Sequence, residues 1–144
     1  MIYTDMTKKA MKFSYEAHKG QYDKGGIPYV FHPYHLAESM TDEVSVTAAL
    51  LHDVLEDTPF TEQDLLDEGF SEEVIRIVKL LTRDPEMAYM AYFGNLAHDP
   101  VARKIKLADL AHNTDASRLP NNKEFMKKRF ALYEEAKELL MRMS

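Results

Sequence analysis

Val46-Thr47-Ala48-Ala49-Leu50-Leu51-His52-Asp53-Val54-Leu55-Glu56-Asp57 is the stretch on which the reading of this chain turns. Up to Leu51 it is almost wholly apolar, the composition of a central, buried helix. Four ionisable residues, His52, Asp53, Glu56 and Asp57, then fall within six positions. Charge in an apolar setting is costly unless it is paired or bound to a metal. On a continuous helix His52 and Glu56 share a face, as do Asp53 and Asp57. Adjacent His52 and Asp53 point roughly 100° apart, yet both side chains reach an ion lying off their common edge. The helix is expected over 43–57, because Pro59 forces Thr58 out of helical geometry.

Working outward, every other segment also reads as helix. Residues 5–19 form a first helix with Ala10, Phe13, Ser14 and Ala17 on one stripe, ended by Gly20. Residues 20–32 form a loop in which Gly25-Gly26 permits unusual backbone angles. Pro33 suits the first position of a second helix ending near Met40. Thr61 and Ser71 are N-cap residues for two shorter helices. Residues 85–97 are read as helical. Asp99-Pro100 opens a helix reaching Asn113. The last helix, 122–143, carries Phe125, Met126, Phe130, Tyr133, Ala136, Leu140 and Met143 at helical spacing. No segment alternates apolar and polar residues between turn signals, so no strand is expected. At 144 residues without repeats or linkers, the chain is expected to be one domain, 1–144, of the all-α class.

Two further segments place polar groups in apolar settings. In Lys104-Ile105-Lys106-Leu107-Ala108-Asp109-Leu110-Ala111-His112-Asn113, Asp109 sits among aliphatic residues, and His112 and Asn113 share its side of the helix. In Pro28-Tyr29-Val30-Phe31-His32-Pro33, His32 lies at a loop-to-helix junction. Taken singly, each has a structural reading. His32 suits a cap or a packed ring, and His52-Asp53 a buried pair. Asp109 suits a salt bridge to Lys106, and Glu56-Asp57 a solvated last turn.

Composition narrows the chemistry. Hydrophobic residues make up 45% and charged residues 29%, as in ordinary globular proteins. There is no cysteine, which excludes disulfides, thiolate metal sites and Cys nucleophiles and accords with a cytoplasmic location. No apolar run approaches the roughly 18 residues of a membrane span, and the N-terminus lacks a secretion-signal layout. The net charge of −6, from 18 Lys+Arg and 24 Asp+Glu, disfavours a nucleic-acid polymer as partner. A small phosphorylated ligand remains compatible, since a bound ion dominates the charge of its own site. Nothing in the sequence sets the oligomeric state.

The order of these segments resembles the HD superfamily and, within it, the hydrolase domain of the RelA/SpoT family and its small stand-alone members. The resemblance runs through Ala17-His18-Lys19-Gly20-Gln21, Lys24-Gly25-Gly26-Ile27-Pro28-Tyr29, Phe31-His32-Pro33, the block from Ala48 to Thr58, Leu81-Thr82, Lys106-Leu107-Ala108-Asp109 and His112-Asn113. It implies an HD-type helical bundle with a metal site at its centre. By position, His32, His52, Asp53 and Asp109 match the metal ligands, and Glu56 and Asp57 match the acidic pair implicated in catalysis. Asn113 matches a nucleotide-sugar contact and Lys24 a basic loop residue near the ligand. Arg103 and Lys104 are added here as candidates to steady phosphates. His18 is read as structural, and His35, His98 and His112 as supporting or solvated. Two imidazoles and two carboxylates suit Mn²⁺, Fe²⁺ or Zn²⁺, and the resemblance favours Mn²⁺. It implies a phosphohydrolase that removes pyrophosphate from the 3′ position of guanosine tetraphosphate-like nucleotides, without a synthetase domain or synthetase activity.

The chain departs from that family at two places. Asp23 stands where the family usually has an Arg that stacks on guanine, and an acid cannot make that cation–π contact. Thr114-Asp115-Ala116 stands where the family usually reads Met-Arg-Thr. Three other readings therefore stay open: a phosphohydrolase acting on another nucleotide or on NADPH, an HD-type oxygenase with paired iron, and a non-catalytic nucleotide sensor. The oxygenase needs further histidines between His52-Asp53 and Asp109, where only His98 lies.

Overall fold

The computed structural model describes residues 1–118 and 123–142 and is all-helical there, with an isolated Tyr22–Pro28 bridge as the sole β pairing. The elements are α1 (Asp5–Ala17), α2 (Phe31–Glu38), α3 (Glu43–Leu51), α4 (Val54–Asp57), α5 (Glu62–Asp67), α6 (Glu72–Leu80), α7 (Tyr89–Leu96), α8 (Pro100–Asn113), a 3₁₀ turn (Ala116–Arg118) and α9 (Lys123–Arg142). Side-chain caps fix most starts. Thr4, Asp42, Thr61 and Ser71 each accept a backbone N–H three residues on, and Asp99 accepts those of Val101 and Ala102.

Helix α3 is the axis of the molecule. All seven residues from Ser45 to Leu51 are buried, and the helix packs against α1, α2, α6 and α8. That is why its sequence shows no polar face: it has no solvent to meet. Helix α9 closes the far side by packing on α7 and α8, burying Ala136 and Leu140, with Phe130 and Tyr133 half-buried. Phe125, Met126 and Met143 lie outside the described side chains.

Four boundaries differ from the sequence reading, each for a local reason. The segment expected as one helix over 43–57 breaks at His52-Asp53, where Asp53 adopts φ −100° and ψ −2°. A continuous α-helix would direct the Asp53 N–H to the Ala49 carbonyl, but that oxygen instead takes the His52 backbone N–H at 3.5 Å and faces the His52 ring, with Nδ1 2.7 Å away. Helix α1 ends at Ala17 rather than 19, and Gly20, at φ +85°, turns the chain. Helix α2 starts at Phe31, so Pro33 is its third residue, still within the first turn where a missing N–H costs nothing. Residues 84–88 stay out of α7. Asp84 accepts the Glu86 and Met87 N–H groups, and the Arg83 guanidinium donates to the Asp84, Pro85 and Met87 carbonyls.

Candidate metal centre and cleft

The α3–α4 break, the first turn of α2 and the middle of α8 bring His32, His52 and Asp109 to one buried point, with Asp53 beside the two histidines. His32 Nε2 lies 2.8 Å from Asp109 Oδ1 and 3.8 Å from Asp53 Oδ2. His52 Nε2 lies 2.9 Å from Asp53 Oδ2 and 3.7 Å from Asp109 Oδ1. All four residues are buried. Donors about 2.1 Å from a common ion stand roughly 3.0–3.4 Å from one another, so small side-chain shifts let His32, His52 and Asp109 surround one cation, with Asp53 on the histidine side of that point.

The hydrogen bonding of His52 tests that fit. Its Nδ1 faces a carbonyl, which only accepts, so Nδ1 carries the hydrogen and Nε2 presents its lone pair. This buried Nε2 has no hydrogen-bond partner, yet lies 2.9 Å from a carboxylate oxygen. Two lone-pair atoms hold that spacing only around a proton or a cation. Burial alone pushes the His52 imidazole down, but the carboxylates of Asp53 and Asp109 more than reverse it and hold it well above its ordinary range. The same field attracts a divalent ion, and two nitrogens with two oxygens suit one that does not require sulfur. His32, His52 and Asp109 present ligand atoms within 4.8 Å of one another.

Each donor is oriented from behind, as metal ligands are. His32 Nδ1 lies 2.7 Å from His112 Nδ1. Burial first, then the Arg118 charge, lowers the His112 imidazole to about 4. His112 is therefore neutral and accepts from His32 once Nε2 is a ligand. His35 stacks on His112 with centroids 4.0 Å apart, so the two supporting histidines form a layer behind the donors, while His98 is exposed. The Tyr29 hydroxyl donates to Asp53 Oδ2 at 2.5 Å, and its burial and the Asp53 charge push its ionisation up. Asp109 accepts from Lys106 Nζ at 2.7 Å and Asn113 Nδ2 at 2.9 Å. Burial works to raise the Asp109 carboxyl, but Lys106 and the two histidines hold it well below the carboxylate range. His18 is buried against Gln21, its Nδ1 2.9 Å from the amide oxygen.

The centre opens on a cleft of about 610 Å³. Glu56, Asp57, Lys24 and Asn113 border it. Glu56 Oε1 accepts the Arg83 backbone N–H at 2.7 Å. Burial, then the neighbouring Asp53 and Glu56 charges, pushes the Asp57 carboxyl up to about 6. Arg103 and Lys104 do not border the cleft. Arg103 donates to the Ala97 carbonyl at 2.8 Å, and Lys104 is exposed. They lie six and five residues before Asp109, hence roughly 120–140° around α8 from it. Lys106, three residues before Asp109, borders the cleft instead, with its Nζ bound to Asp109 Oδ2 at 2.7 Å, and the 3.6-residue period is the signal that separates it from them. Tyr29 stood in a quoted motif without a role. Lys128, Arg129 and Tyr133, which also border the cleft, had no local signal, because only the return of α9 brings them there.

Comparison with known proteins agrees with this architecture. Residues 10–128 match the HD domain family. The guanosine-3′,5′-bis(diphosphate) 3′-pyrophosphohydrolase of Borreliella burgdorferi is 33% identical over 132 residues, which is 81% of this chain and 20% of that protein. A GTP pyrophosphokinase of Myxococcus xanthus is 35% identical over 127 residues, 76% of this chain and 17% of that one. The chain thus spans about a fifth of the length of these curated relatives. A solved structure, described as a metazoan ortholog of SpoT that hydrolyzes ppGpp, matches with a TM-score of 0.84 and 25% identity, over 97% of this chain and 88% of that one. The matched span contains His32, His52, Asp53, Glu56, Asp57 and Asp109, and the chain belongs to the HD domain family.

Proposed function

We propose that this protein is a divalent-metal-dependent phosphohydrolase that removes pyrophosphate from the 3′ position of guanosine tetraphosphate-like nucleotides. One observation carries the metal-dependent reading: the buried His52 Nε2, without a hydrogen-bond partner, facing the Asp53 carboxylate beneath a nucleotide-sized cleft. The names of the relatives support the substrate. Mn²⁺ is the proposed ion, from the nitrogen and oxygen donor set and the resemblance, with His32, His52, Asp53 and Asp109 as its ligands.

A divalent ion held there supplies Lewis acidity and makes water nucleophilic near neutral pH. The protein's own groups do the rest. Arg83 N–H holds Glu56 by Oε1, which leaves Oε2 to receive the proton of the attacking water. Water oxygen bonds to phosphorus, the bond to the ribose 3′ oxygen breaks, and that oxygen leaves with a proton. Asp57, with its raised proton affinity, returns or relays protons beside Glu56. Lys24, Lys128 and Arg129 offset the phosphate charge, and Asn113, tied to Asp109, is placed for the sugar. Hydrolysis alone is proposed, so ATP and GTP together yield no tetraphosphate.

A second reading keeps the mechanism and moves the substrate to another nucleotide or NADPH. It is favoured by Asp23, whose carboxylate binds Arg118 at 3.3 Å and offers no stacking cation. Purified protein with Mn²⁺ and a panel of guanosine tetraphosphate, NADPH and nucleoside mono- and triphosphates separates the two. Pyrophosphate from the tetraphosphate, lost with a chelator, is expected. Phosphate from NADPH moves the substrate. Silence across the panel overturns the enzyme reading in favour of a sensor.

A further inference from the structure

Lys24 is exposed and stands on a loop whose β pairing is a single isolated bridge. A long cation on such a loop spends its binding energy on ordering unless the loop is anchored beforehand. The anchor lies one residue away. Asp23 Oδ1 accepts the N–H groups of Gly25 at 2.9 Å and Ile27 at 3.0 Å, while Oδ2 takes Arg118 Nη2 at 3.3 Å. Arg118 in turn donates from Nη1 to the His112 carbonyl at 2.5 Å, on the last turn of α8. The backbones also meet: a Cβ on Gly25 would lie 2.5 Å from the Arg118 carbonyl oxygen, so only glycine permits the approach. Helix α8 carries Asp109 and Asn113, so the loop is fixed to the element that holds the other half of the site.

We infer that Asp23, Gly25 and Arg118 form a latch that sets where Lys24 stands relative to Asn113, which makes Asp23 and Arg118 positioning residues for anion binding in the cleft. This rests on the reading that Lys24 contacts a ligand phosphate. With side-chain exposures of 15% for Asp23 and 20% for Arg118, the pair is partly solvated and contributes little to global stability. Its effect is local: a charged contact that is already placed binds, and one that must first be placed binds less well.

Asp23→Asn keeps an oxygen for the Gly25 and Ile27 N–H groups and removes the charge. Arg118→Gln removes the other partner. In the Mn²⁺-loaded full chain, with guanosine tetraphosphate as probe, each should raise KM by about two- to fivefold, the limit set by what a partly solvated ion pair supplies, with kcat and melting temperature nearly unchanged. Arg118→Lys should restore part of the loss. The double variant should be no worse than either single one. In a Lys24→Ala background Asp23→Asn should cost nothing further; a second multiplication of KM there overturns the inference. Amide hydrogen exchange over residues 22–28 reads the latch without any activity. Faster exchange in Asp23→Asn, Arg118→Gln and Gly25→Ala upholds it, and unchanged exchange overturns it. If Lys24→Ala leaves KM unchanged, it is the assignment of Lys24 to phosphate that fails, and exchange alone then decides the latch.

Discussion

Asp109→Asn removes one negative charge from the centre of the site and almost no volume. In the metal-free protein Asp109 is the acceptor for Lys106, Asn113 and His32. The Lys106 pair is the most exposed to loss, with side chains only 17% and 6% accessible. Burial would lower the Lys106 ammonium, and the Asp109 charge instead raises it well above the ordinary lysine range. An amide oxygen still accepts from Nζ but no longer neutralises it, so the cost is that of a hydrogen bond to a charged group, about 2–3 kcal/mol. At roughly 3 °C per kcal/mol for a chain of this size, the melting temperature should fall by about 6–9 °C. The metal effect separates ligand from mere packing. Ion at 100 times its Kd stabilises the native protein by about 2.7 kcal/mol, or roughly 8 °C. If the neutral amide weakens the ion about a hundredfold, the same concentration gives about 0.4 kcal/mol and a shift near 1 °C. Thermal melts with chelator and across a Mn²⁺ titration measure both numbers, and calorimetry gives the stoichiometry. An Asp109→Asn protein that keeps the full metal-induced shift refutes the ligand assignment, whatever its activity.

Glu56→Gln should bind metal like the native protein, by calorimetry, and lose about a hundredfold or more in kcat, the scale of one general base; unchanged turnover removes Glu56 from the mechanism. His112→Ala should weaken metal binding by about 10–100-fold, because it deletes the acceptor that orients His32; equal affinity would show that the imidazole pair does no orienting. Asp57 titrates near 6 in the folded metal-free protein against an ordinary 3.8, so its contribution to stability is present below pH 4 and lost as pH rises through 6. Asp57→Asn, which does not ionise, should therefore match the native protein near pH 4 and exceed it above pH 6.5 by about 1 kcal/mol, a value discounted for the group's half exposure. Urea denaturation in chelator at the two pH values checks this, and a constant difference between them excludes Asp57 as the titrating group.

The parts of this molecule that were legible in the sequence are those written in one helix at a time. Helix α3 is apolar on every face because it is enclosed on every face, and that pattern needs no partner to be read. The caps at Thr61, Ser71 and Asp99 are likewise local, a side chain bonding to its own next turn. What the chain hides is decided by competition or by return. At the His52-Asp53 break the Ala49 oxygen is shared by the His52 ring and the His52 backbone N–H in place of that of Asp53, an arrangement no hydrophobic period records. Beside that break Asp53 Oδ2 lies 2.9 Å from His52 Nε2. Lys128 and Arg129 reach the cleft only because α9 packs back across α7 and α8. Lys106 borders the cleft and Arg103 and Lys104 do not, a matter of helical phase along α8. Asp23 is the instructive case. Judged residue against residue it is a missing cation, since an acid stands where a guanidinium was expected. In the fold the acid draws a guanidinium from 95 residues away and joins two halves of the site through it. A substitution that removes one contact from a ligand thus changes what holds the neighbouring contact, and the two effects separate only when Lys24 and Asp23 are varied together.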